Sequence, residues 1–167
     1  KKMALSSISV LGADHFAKGG VKYMTIDTVA NSSGMSDSDG AGAVTMSSAV
    51  TVYFEKESAS MTISNTQSNA LTTHEISIEG YIPDITKTKL QQLQELQTEP
   101  LIAQVHTWDG VNYLVGWDSV TATDAGNTDF PLLLQTVEAN TGSGLSDQNG
   151  VTLTFSCTAG RTPATIA

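Results

Sequence analysis

The chain has one cysteine, four prolines, few aromatic residues and no long apolar run. A single cysteine, Cys157, excludes an internal disulfide, so packing rather than cross-links has to hold the fold. Its setting in an apolar strand makes it a small hydrophobe. No stretch approaches the roughly 20 apolar residues of a membrane-spanning helix. Lysine and arginine number 8 against 17 aspartates and glutamates, a formal charge of −9. That balance argues against a protein that grips nucleic acid, which needs cations to replace phosphate counterions. Charged residues make up 15% and apolar ones 40%, and Ser, Thr, Gly, Asn and Gln fill the gap. This bias suits strands with one wet face and many turns. Val, Ile, Leu and aromatics still recur throughout, unlike in a disordered chain. The length of 167 residues predicts one domain, 1–167.

The order of segments is legible from periodicity. "KKMALSSISVLGA" reads as an alternating strand rather than a signal peptide, because Ser6, Ser7 and Ser9 interrupt its apolar run. "GGVKYMTID" predicts a strand over 19–27, with Val21, Tyr23 and Thr25 on one side and Lys22, Met24 and Ile26 on the other. Residues 29–48 are small, polar and Gly-rich, a flexible loop or assembly arm. Strands follow at 49–57, 59–66 and 70–82, the last with Ile76, Ile78 and Ile82 on its buried side. Then the period changes. Leu90, Leu93 and Leu96 fall at helical spacing, with Ile85 about one turn earlier. They predict a helix over Thr86–Thr98, capped by Asp84 or Thr86, stopped by Pro100 and docked on a sheet by the three leucines.

"LIAQVHTWDGVNYLVGWDSV" predicts a hairpin around Asp109-Gly110, a pair suited to a type I′ turn. "FPLLLQTVEA" is a further apolar stretch. After the loop "TGSGLSDQNG", the segment "VTLTFSC" alternates strictly. Val151, Leu153, Phe155 and Cys157 point inward, and Thr152, Thr154 and Ser156 outward. Residues 158–167 read as a C-terminal tail. Together these segments predict a mainly β fold: an antiparallel β-sandwich or barrel with one flanking α-helix and a long early loop.

Reactive chemistry is sparse. His15, His74 and His106 are far apart and share no metal-binding spacing. The pattern allows His74 and His106 to be neighbours across strands, but a surface or satisfied core histidine is the better-supported reading. Nucleophile elbows, phosphate-cradling loops and dinucleotide fingerprints are absent. "DSDGAG" has Asp37, Asp39 and Gly42 where a calcium loop has them. Ala41 and Ser48 stand where that loop needs oxygen ligands, so a solvated loop is favoured. Trp108, Tyr113 and Trp117 on the hairpin raise a sugar-stacking platform, against the commoner role of core or interface packing. No catalytic, cofactor-binding or metal-binding residue is assigned, and the chain is read as a non-enzyme.

The succession as a whole resembles a known group. "GGVKYMTI", a variable polar loop and "YFEKESASMTISNTQSNALTTHEISIEGYIP" form its first half. A helix, "LIAQVHTWDGVNYLVGW" and "TGSGLSDQNGVTLTFSC" complete it. This arrangement, from about Gly19 to Cys157, is similar to small structural proteins of tailed bacteriophages. It is closest in character to the tail-tube-like proteins of phages that infect Bacteroidetes. In that group an Asp- or Asn-bearing hairpin leads to an "LVG" or "LAG" strand, and "SDQNG" or "GDRNG" precedes "VTLTF". The resemblance implies six copies in a ring, inner sheets lining a channel, stacked rings, and an arm that reaches a neighbouring ring. It makes Gly34, Met35, Ser36, Asp37, Asp39 and Gly40 the candidate arm. The implied partners are further copies of the chain and other virion proteins, with DNA passing in transit only and no membrane. The implied location is the virion tail, after synthesis in the host bacterial cytoplasm. Two alternatives stand beside it: a capsid decoration or auxiliary protein of the same fold, and a carbohydrate- or receptor-binding β-module using Trp108 and Tyr113.

Overall fold

The alternating segments pair into two antiparallel sheets that face each other across one core. The structure, a computed structural model, describes residues 19–33, 45–68, 71–116, 130–143, 149–159 and 164–166. The chain begins with β1 (Val21–Thr28), a 3-10 turn (Val29–Asn31) and the short β2 (Ser32–Ser33) and β3 (Thr45–Met46). Next come β4 (Val50–Tyr53), β5 (Ser60–Ser68) and β6 (Leu71–Pro83). The helix α1 (Lys87–Leu96) precedes β7 (Leu101–Thr107), β8 (Asn112–Val115), β9 (Leu133–Asn140), β10 (Gly150–Ala159) and β11 (Ala164–Ile166). One sheet has five strands in the order β11-β8-β7-β1-β4, the other four in the order β5-β6-β10-β9. β2 and β3 form a separate small ribbon.

The core lies between the sheets. Met24, Ile26, Ile78, Val105, Leu153 and Phe155 are fully buried there. β10 follows its sequence pattern: Val151, Leu153, Phe155, Cys157 and Ala159 are buried, while Thr152, Thr154 and Ser156 face out, half-buried. β1 departs from its pattern. Its pairing with β7 shifts between Val21 and Tyr23, a bulge that lets Val21 join Met24 and Ile26 in the core while Tyr23 stays outside.

The helix is shorter than its leucine spacing predicts. Thr86 caps it by accepting a hydrogen bond from the Lys89 amide at 3.2 Å, and the last regular residue is Leu96. Beyond it the Thr98 amide reaches only three residues back, to the Glu95 carbonyl. Pro100 disfavours helical geometry at Glu99, so the final turn tightens and stops. Leu93 is buried, and Leu90, Leu96 and Ile85 pack on the core from its edge.

Two segments differ from the sequence expectation. β4 ends at Tyr53 rather than running to 57, because Phe54 turns into the core and Glu57 adopts a left-handed φ of 65° at the turn to β5. The segment 158–167 is not a free tail. β10 continues to Ala159, and Ala164–Ile166 pairs with β8, Ala164 opposite Leu114 and Ile166 opposite Asn112. An available edge on β8 supplied the partner, which local composition could not reveal. The N-terminal alternating segment lies outside the described residues, as do His15 and Trp117.

Candidate functional site

Among the described residues the reactive side chains do not converge. His74 lies in β6 and His106 in β7, strands of different sheets, so they are not cross-strand neighbours. His74 Nδ1 is 2.5 Å from Asn65 Oδ1. His106 Nδ1 is 2.9 Å from Asn112 Oδ1, and its ring stacks on Tyr23 with centroids 4.2 Å apart. Among the described residues no three His, Cys, Asp or Glu side chains are grouped to hold a metal ion. Asp37 and Asp39 of the calcium-like segment lie outside the described residues.

The hairpin turn is built differently from a type I′ turn. Gly110 has a left-handed φ of 87°, but Asp109 does not. The Gly110 amide donates to the Thr107 carbonyl and the Thr107 amide to the Val111 carbonyl, each at 3.3 Å. This is the three-residue hairpin loop in which glycine forms a bulge. The Thr107 hydroxyl, followed by the Val111 amide, holds the Asp109 carboxyl below its usual range. Trp108 is left exposed at the turn, with Lys22 Nζ 5.5 Å from its ring centroid. Tyr113 packs on the main core, whereas Tyr23, its neighbour Tyr53 and His106 form a row on the outer face. Trp108 and Tyr113 therefore do not share one platform. Within the row the Tyr23 ring stacks on His106 at an interplanar angle of 21°, which covers one of its faces, and tilts at 43° to Tyr53.

The loop 29–48 has an ordered root. Val29 and Met46 cover Ile102 and Leu114 on the outer face of the five-stranded sheet, forming a second small apolar cluster. Ser32 pairs with Met46 and Ser33 with Thr45. The root is tied down by Asp27, the one buried charged side chain among the described residues. Its carboxylate accepts from the Thr28 amide at 2.7 Å and the Ser48 amide at 2.9 Å. Sequence reading missed this residue. Its signal was a carboxylate closing an apolar strand just before a small polar loop. Gly34, Met35, Ser36, Asp37, Asp39 and Gly40, the candidate arm, lie outside the described residues. Replacing Asp27 with Ala should cost about 1–3 kcal/mol, the loss of two hydrogen bonds to a charged acceptor. Amide exchange should accelerate at Ser48 first. Unchanged protection there would show that the root is held by Val29 and Met46 alone.

The two outer sheet faces differ in chemistry. β5, β6, β9 and β10 contain no lysine or arginine at all. Their outward residues form rows by register: Ser60, Glu79, Thr154 and Thr136 in one, Thr62, Ser77, Ser156 and Leu133 in the next. Glu75, opposite Thr158, and Glu138, opposite Thr152, add two further carboxylates. The result is a hydroxyl-lined, acidic surface assembled from four strands.

No family model, curated protein or solved structure matches this chain. The surfaces themselves therefore have to carry the functional argument. Beside them runs a groove between α1 and β4. One part, of about 580 Å³, is bordered by Asp27, Val50, Glu95 and Leu96. A second, of about 370 Å³, continues along β4 past Tyr53 and Lys89. Among the described residues no helix is long and apolar enough to cross a membrane.

Proposed function

We propose that this protein is a virion structural component whose copies assemble into hexameric rings stacked as a phage tail tube. The observation that carries this reading is the outer face of the four-stranded sheet. A channel for DNA has to attract phosphate nowhere along its length. Cations would hold the backbone by counterion release, and these four strands have none. Glu75, Glu79 and Glu138 add repulsion that extends over a Debye length of about 8 Å at physiological salt. Threonines and serines between them keep the surface wetted. The resemblance of the segment order to tail-tube-like proteins supports the same reading, and the ordered root of the 29–48 loop is a firm base for an arm.

Negative-stain electron microscopy of concentrated protein, with sizing beside it, tests the proposal. Hollow tubes or stacked rings support it. A protein that never polymerises but binds assembled capsids points to a decoration protein instead. Deleting Gly34–Gly42 should abolish ring stacking while leaving the fold and the β2–β3 root intact. Normal tubes from the deletion variant would remove the arm from the model.

A further inference from the structure

The groove between α1 and β4 has the features of a seat for an extended chain. One wall is β4, the edge strand of the five-stranded sheet, which pairs with β1 on one side only. Its other backbone edge is open to a further strand. The opposite wall is α1, which presents Leu93 and Leu96, and Val52 and Val151 supply more apolar lining. Val50 and Tyr53 stand at this edge 48% and 69% exposed. Backbone groups along one side with apolar pockets beside them are what strand addition uses for affinity and selectivity.

The two ends of the groove differ in charge. At the Tyr53 end Lys89 is satisfied by the Asp84 carboxylate and by the Pro83 and Asp84 carbonyls. At the Val50 end stand Glu95 and Glu99, and neither takes part in an ion pair among the described residues. Buried Asp27 adds a third carboxylate there. The occupant that fits is an extended segment with alternating apolar side chains, and with cations at the end that meets Glu95 and Glu99.

The chain itself contains such a segment. Of the stretches outside the described residues, 34–44 carries Asp37 and Asp39, and 117–129 carries Asp118, Asp124 and Asp129, each without a lysine or arginine. The groove's carboxylates repel both. Residues 1–11 instead combine Lys1 and Lys2 with Ile8 and Val10, which alternate with Ser7 and Ser9. The direction follows from topology. Tyr53 lies opposite Tyr23 and Val50 opposite Ile26, so the Tyr53 end of β4 is the end at which β1 begins. A segment that leads into β1 and occupies the groove therefore enters at Tyr53 and runs parallel to β4. Residues 12–18 reach about 23 Å when extended, enough to pass around that end. From Ile8 back to Lys2 an extended chain spans about 20 Å, which carries the lysines toward Glu95.

We infer that residues 1–11 of the same copy lie in this groove as an added strand beside β4, with Ile8 and Val10 on the apolar lining and Lys1 and Lys2 against Glu95 and Glu99. The tether gives the segment an effective concentration in the millimolar range, ahead of the same segment from a second copy. The inference does not depend on the tail-tube reading.

The test uses the full chain. Val10→Asp places a charge on the apolar lining, and circular dichroism and thermal melting check that the sandwich remains. Amide exchange, read residue by residue by NMR, should then speed up at least about tenfold at the groove-side amides of β4 and stay unchanged in β10. Equal protection of β4 in variant and wild type overturns the inference. Glu95→Lys with Glu99→Lys should loosen the segment in the same way, and adding Lys1→Glu and Lys2→Glu should restore protection. Failure of that restoration overturns the charge-directed placement. A cysteine pair, Val10→Cys with Gln92→Cys, locates the occupant, because Gln92 lines both parts of the groove. A disulfide within the monomer supports the inference. A disulfide that links two chains assigns the groove to a neighbour's segment and overturns it, as does the absence of any cross-link.

Discussion

Replacing Phe155 with alanine should remove about 3–5 kcal/mol of stability, the largest single loss expected in this fold. Phe155 is fully buried at the middle of β10, between Ile78 of β6 and Leu134 of β9. Its ring fills the space between the sheets, so truncation loses apolar transfer energy and also leaves a cavity that a two-sheet core closes poorly. A domain of this size is ordinarily stable by about 5–15 kcal/mol, so the variant would sit near the edge of folding. Urea denaturation checks it: the midpoint should fall while the slope stays the same. A loss below about 1 kcal/mol would place the centre of the core elsewhere than the inner face of β10.

Gly80→Val should cost about 3 kcal/mol, by crowding rather than by a void. A Cβ at Gly80 would come within 2.4 Å and 2.5 Å of two Phe54 ring carbons and 2.9 Å of the Ala59 methyl. Phe54 is itself buried where β4 gives way to the turn toward β5, so it has no open space to move into. The two residues form a lock. The missing side chain on β6 is the notch that lets the chain cross from one sheet to the other. A double-mutant cycle with Phe54→Ala makes the prediction specific. The crowding should vanish when the ring is gone, giving a coupling of about 1–3 kcal/mol. Additive losses would mean that Gly80 is required for backbone reasons and not for the ring.

The residues that sequence reading located best are those whose environment repeats with the local period. The inward set of β10, the helix with its Thr86 cap, and the long hairpin are examples. Hydrophobic alternation and turn chemistry are properties of a few neighbouring residues, and they survive folding unchanged. The candidate surfaces were less legible. Glu75, Glu79 and Glu138 are ordinary exposed residues in their own strands. Only the register of β5-β6-β10-β9 gathers them with serines and threonines into one cation-free face. Asp27 likewise becomes an anchor only because Ser48, 21 residues on, returns its amide to it.

Taken by itself, the sequence determined the mainly β class, the amphipathic helix α1, the buried side of the last long strand and the acidic balance. Each follows from composition or from a period of two or of 3.6 residues, which act over a few residues. Only the tertiary structure decided the bulge that turns Val21 inward, the recruitment of Ala164–Ile166 as a strand, the separation of His74 from His106, and the placing of Tyr53 and Leu133 on edge strands of different sheets. These depend on which strands lie side by side and on which edges remain open. Strand neighbours are chosen by burying the most apolar surface across the whole chain, a global balance that no local window contains.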